Sequence, residues 1–136
     1  MSRGYRNFNP GNIRRSSIRY KGEKESTDAQ FKQFESMAWG YRAIFVVLDT
    51  YRVKYGLNTL QEMINRYAPP SENNTTEYVN FVSRRSKVAD ISRVDTLNDR
   101  QMVPIVTAIA AMENGSEPDA DDVRAGWKLY CEYPNK

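Results

Sequence analysis

The sequence predicts a mainly α fold, α+β overall, with a small N-terminal β-hairpin flap and one buried central helix. Three observations carry that expectation. Several stretches repeat apolar residues at helical spacing behind side chains suited to capping. Only Ile13–Phe34 alternates, weakly, with Ile18 and Tyr20 on one side of a polar segment and Phe31 and Phe34 on the other. The run Gln101–Gly115, QMVPIVTAIAAMENG, is apolar on nearly every side. A helix apolar all round is buried, and this one is shorter than the roughly 20 residues that cross a bilayer.

Residues 1–13 read as an ordered loop, because Pro10 and Gly11 break any periodicity and the asparagines can fold back on the backbone. A hairpin or three-stranded flap follows. Ser36 caps a long helix whose stripe is Met37, Tyr41, Ile44, Phe45, Leu48, Tyr51 and Tyr55. Gly40 lets another segment approach it, and Gly56-Leu57-Asn58 ends it. Thr59 with Glu62 is a capping box for a short helix bearing Leu60, Met63, Ile64 and Tyr67, stopped by Pro69-Pro70. Asn74 with Glu77 opens the next, with Tyr78, Val79, Phe81 and Val82 inward. Ser83–Asp95 reads as loop with a turn of helix. Asn98 or Asp99 caps the central helix, and Pro104 predicts a kink or a fresh start near Met102. An acidic loop follows Gly115, then a last helix from about Asp121 with Val123, Gly126, Trp127 and Tyr130.

With 136 residues, 40% hydrophobic and 27% charged, residues 1–136 form a single domain. There is no His, which excludes Ser-His-Asp and Cys-His nucleophilic sites and His-ligated metals. No metal site and no cofactor are expected. The one cysteine, Cys131, allows no internal disulfide and suits a reducing compartment. The N-terminus is polar and basic, without the apolar core of a signal peptide. Arg3, Arg6, Arg14, Arg15, Arg19 and Lys21 precede the first acid, Glu23, which suits an anionic polymer partner.

The chemistry left is that of carboxylates. A glycosidase needs one carboxylic acid to protonate the leaving oxygen, often with a second carboxylate across the bond. Glu113 ends the buried run, just before the helix-terminating Gly115. Partial desolvation and the negative end of the helix dipole would both favour its protonated form. Candidate partners are Glu23, Glu25 and Asp28 on the hairpin and Glu72 in the Pro-Pro-Ser-Glu-Asn loop, where Asn73 and Asn74 flank it.

The segment Arg6-Asn7-Phe8-Asn9-Pro10-Gly11-Asn12-Ile13-Arg14 resembles the N-N-P-G-N-I-R opening of small phage and prophage proteins related to the lysozyme-like superfamily. The F-x-x-F-x-S segment running into Gly40-Tyr41-Arg42-Ala43 fits the same group. So do Tyr67-Ala68-Pro69-Pro70-x-Glu72-Asn73-x-Thr75-x-x-Tyr78 and Glu113-Asn114-Gly115. Together these span nearly the whole chain. Their order is similar in part to flagellar-type N-acetylglucosaminidases and lytic transglycosylases. In those, a helix ending in a catalytic Glu precedes the Asn-rich turn and flap. Here only a few residues precede Asn7, and the Glu-Asn-Gly helix comes late. The resemblance therefore implies a circularly permuted lysozyme-like domain whose N-terminal loop packs back against Gly115.

It also implies a phage or prophage peptidoglycan-cleaving enzyme, a monomer that inserts into no membrane and reaches the wall after holin release or virion delivery. Glu113 would be general acid, with Glu72 or Glu25 as second carboxylate. Asn9, Asn12, Trp39, Tyr41, Tyr67, Asn73 and Asn114 would contact glycan strands. Two other classes remain open: an inactive phage structural or wall-binding protein on the same fold, and a nucleic-acid-binding protein. The last is weakest, since the aromatics are spread over helices rather than interleaved with the arginines.

Overall fold

A computed structural model describes residues 1–136. The N-terminal segment holds a one-turn helix, α1 (Arg3–Arg6), where the sequence predicted loop alone; the Ser2 hydroxyl accepts from the Tyr5 amide and caps it. The flap is two-stranded. β1 (Glu23–Lys24) pairs antiparallel with β2 (Gln33–Phe34), Glu23 opposite Phe34, and an isolated bridge joins Arg14 to Phe31.

Five longer helices follow, each started by a local acceptor. Ser36 caps α2 (Met37–Tyr55), and the Thr59–Glu62 capping box starts α3 (Leu60–Tyr67). Asn74 caps α4 (Thr75–Ser86), Asn98 caps α5 (Asp99–Asn114), and Asp119 caps α6 (Ala120–Glu132). Gly56 and Gly115 end α2 and α5 in the left-handed conformation, φ 67° and 68°.

Two expectations about helix extent are corrected. α4 runs through Arg84 and Arg85 to Ser86, because their basic side chains favour a helix C-terminus and Lys87 takes the left-handed cap, φ 61°. α5 runs through Pro104 without a fresh start. Pro104 lies in its second turn, so the lost amide bond frees only the carbonyl of Arg100, an exposed residue that water can satisfy.

The core is one cluster of 23 buried residues drawn from α2 to α6 and the loop before α5. α5 lies inside it, against α4, α6, α2 and α1, with Met102, Ile105, Val106 and Ile109 fully buried. Each such side chain contributes about 1.5–3 kcal/mol by leaving water. α2 and α6 touch closely because Gly126 has no side chain; a Cβ there would lie 2.5 Å from the Tyr41 Cβ. Phe45 of α2 stacks on Tyr130 at 5.7 Å and meets the Trp127 edge at 5.1 Å. No helix is long and apolar enough to cross a membrane.

Candidate active site

The buried helix delivers Glu113 to a point where three other segments converge. The first is the Asn-rich loop. Asn9 is fully buried and closes this loop on itself. Its amide donates to the carbonyls of Ile13 and Lys32, both at 2.9 Å, and its oxygen accepts from the Ile13 amide at 2.9 Å. The turn leaves Asn12 in the left-handed conformation, φ 49°, which asparagine tolerates better than most residues. Asn12 Nδ2 then donates to Glu113 Oε1 at 3.0 Å.

The other segments fix this geometry. Tyr78 of α4, buried, donates its hydroxyl to Glu113 Oε2 at 2.8 Å. Tyr67 of α3 donates to the Gly11 carbonyl at 2.6 Å. Burial, with the Glu113 charge second, raises both tyrosine pKa values well above the ordinary one, so both hydroxyls are donors at neutral pH. Asn114 donates to the Pro10 carbonyl at 2.8 Å and accepts from the Ser2 hydroxyl at 2.6 Å, and Tyr5 donates to the Ser116 carbonyl at 3.0 Å. The N-terminal segment thus packs against the end of α5. Gly4 and Gly40 make room: a Cβ on Gly4 would lie 2.7 Å from Asn12 Oδ1, and one on Gly40 would strike the Phe8 carbonyl.

Glu113 borders a groove of about 1110 Å³ between the Asn-rich loop, the C-terminal half of α2, α3 and the loop after it. Asn12, Tyr67, Glu72 and Asn73 line it as well. Pockets for small ligands usually hold about 300–1000 Å³.

The other residues singled out in the sequence lie elsewhere. Tyr41 is fully buried in the α2–α6 contact, and Trp39 packs over Gly22 and toward Tyr133, ring centres 6.0 Å apart. Asn9 spends its side chain on the backbone ties above, and Asn114 spends its own on the Pro10 carbonyl and the Ser2 hydroxyl. Among the flap acids, Glu23 pairs with the buried Lys32 at 3.0 Å. Asp28 accepts from Arg3, Asn7 and two backbone amides, and the Arg3 guanidinium holds its carboxyl well below the usual range. Glu25 is exposed and does not line the groove. Glu72 does, with Arg14 at 3.7 Å.

Sequence reading missed Tyr78 and Gly4. A signal for Tyr78 was present: a tyrosine on the buried side of a helix needs a partner for its hydroxyl. Gly4 gave none.

Across 136 aligned residues the sequence is 39% identical to Protein P5 of Pseudoalteromonas phage PM2, covering 95% of this chain and 83% of that protein. The chain belongs to the P5 family. Its relative is a phage protein, consistent with a phage origin for this one. No protein-family model matches the sequence. In this P5-family chain the Asn-rich loop, α3, α4 and the end of α5 come together around one carboxylate.

Proposed function

We propose that this P5-family protein is a phage peptidoglycan-cleaving glycosidase on a permuted lysozyme-like fold, with Glu113 as its main acid. The observation that carries the reading is Glu113 itself. Its carboxylate is held by Asn12 and Tyr78 at the wall of an open groove sized for a polymer. A general acid must be fixed within reach of the bond it cleaves, and two donors on two different elements do that.

In this scheme a glycan strand lies along the groove. Asn12 and Tyr78 donate to the two oxygens of Glu113 and fix the carboxyl that supplies the transferable proton. Glu113 gives that proton to the glycosidic oxygen as the bond breaks, then takes one back in a second step. The flap acids are engaged in ion pairs or lie outside the groove, and Glu72 is the other candidate on its wall. That arrangement favours a single-glutamate route, either transglycosylation to an anhydro sugar or assistance by the substrate's own N-acetyl group.

A second reading has its own support. Both oxygens of Glu113 already accept hydrogen bonds, so the carboxylate also serves as a structural tie joining the N-terminal loop, α4 and α5. A phage structural or wall-binding protein would need no more than that. Zymography on purified cell wall separates the two, with Glu113→Gln and Glu72→Gln run beside the wild type. The enzyme reading expects clearing by the wild type and none by Glu113→Gln. No clearing by the wild type ends it. Loss in Glu72→Gln alone would move the site while keeping the class.

A further inference from the structure

The groove carries a second feature on the α2–α3 side. Arg66 and Lys54 both line it, and neither forms an ion pair or a side-chain hydrogen bond. They are placed by aromatic faces instead. The Arg66 guanidinium carbon sits 3.7 Å from the Tyr55 ring centre and 5.5 Å from that of Tyr51; the Lys54 ammonium is 5.5 Å from Tyr55. An arginine stacked on a ring keeps its in-plane N–H donors free, and that fork matches a carboxylate. The one acid beside them in the groove, Glu62, is spent on the Thr59 and Asn58 amides and the Thr59 hydroxyl, which hold its pKa below the usual value. Gln61 and Asn65 add neutral polar surface on the same wall.

We infer that Arg66 and Lys54, stacked against Tyr55 and Tyr51, form an anion subsite that takes a carboxylate borne by the glycan strand. The inference rests on the glycan reading and deepens it: the substrate is an acidic glycan, and a neutral one fills only part of the groove. Two sources offer that carboxylate, an acid on the sugar itself or one on an attached peptide.

Equilibrium binding of the full chain tests this with three probes: chitotetraose, which is neutral; peptide-free peptidoglycan strands, which keep the sugar carboxylate; and a muramyl disaccharide-peptide. Arg66→Gln with Lys54→Gln should weaken the acidic probes about tenfold or more, the size of one charge-assisted contact, and leave chitotetraose within about twofold. The peptide is joined through the sugar's own carboxyl, so the peptide-bearing probe offers only peptide acids. Loss with the peptide-free strands alone assigns the carboxylate to the sugar, and loss with the peptide-bearing probe alone assigns it to the peptide. Loss with both shows a subsite that takes either. An equal effect on all three, or none, overturns the subsite while leaving the glycan reading standing. Failure of the wild type to bind any of the three overturns both. Circular dichroism of the variant guards against unfolding; Arg66 and Lys54 are exposed, and Lys54→Gln alone gives a second variant should the pair misfold.

Discussion

Asn12 and Glu113 lie 101 residues apart in the chain and meet at 3.0 Å, amide nitrogen to carboxylate oxygen. The contact closes the N-terminal loop onto the end of the buried helix. Asn12→Gly keeps the left-handed backbone and deletes the amide. On the glycosidase proposal the expected result is a fall of about ten- to a hundredfold in wall-clearing rate, as for a slightly misplaced catalytic group. The stability lost with a hydrogen bond to a charged group is about 1.5–3 kcal/mol. Asn12→Ala should be less stable again, by about 1–2 kcal/mol, because alanine resists positive φ. Turbidity assays and thermal melts on both variants check this. Full activity in Asn12→Gly would remove Asn12 from the site.

Tyr78 holds the other oxygen, and it separates the two readings of Glu113. Tyr78→Phe removes a hydroxyl and keeps the ring in the core, so packing is preserved. Stability should fall by about 1.5–3 kcal/mol, a drop of several degrees in Tm. If Glu113 is only a tie, Glu113→Gln and Tyr78→Phe will differ little in any assay. If Glu113 is the acid, Glu113→Gln will abolish clearing at modest cost in Tm, and Tyr78→Phe will retain measurable turnover.

Gly4 is the least conspicuous residue of the arrangement. Alanine in place of glycine usually favours a helix by about 1 kcal/mol. Here its Cβ would collide with the Asn114 side-chain oxygen and lie 2.7 Å from that of Asn12 and 2.9 Å from the Asn9 carbonyl. Gly4→Ala should therefore destabilise, by about 1–3 kcal/mol, and push the Asn-rich loop off Glu113. On the glycosidase proposal, clearing activity should fall further than the melting temperature alone explains. A rise in Tm would show that the loop does not pack against α1 this closely.

The helices were legible because their signals are local. Ser36, Thr59 with Glu62, Asn74 and Asn98 each bond to an amide two or three residues on, so the sequence displays both partners side by side. Pro104 misled for the opposite reason: its penalty depends on which turn it occupies and on whether water reaches the freed carbonyl. At the site, Glu113 stood out as an acid ending an apolar run, and Asn12 as part of a turn. Trp39 and Tyr41 look, as residues, like a sugar-binding surface, yet an aromatic side chain serves a core equally well, and Tyr41 is wholly buried. The buried Lys32–Glu23 pair and the Tyr78–Glu113 bond link positions whose pairing only the fold sets.

Alkaline pH probes the tyrosines that frame the groove. Burial pushes the Tyr51 hydroxyl up to about 12, and burial with the Glu113 charge raises Tyr67 and Tyr78 well above the ordinary value. In the unfolded chain each titrates near about 10. A folded value above the unfolded one means that the stability involved is fully present below pH of about 10 and is lost as pH rises through the folded values. Tm should therefore show no tyrosine-linked fall from neutral pH to about 10 and drop steeply above it. Tyr51→Phe should flatten that drop. Tyrosinate absorbance should rise in two stages, exposed tyrosines first and the buried ones together with unfolding. If all nine tyrosines ionise near pH of about 10 in the folded protein, the hydroxyls around Glu113 are open to water and do not hold it as donors.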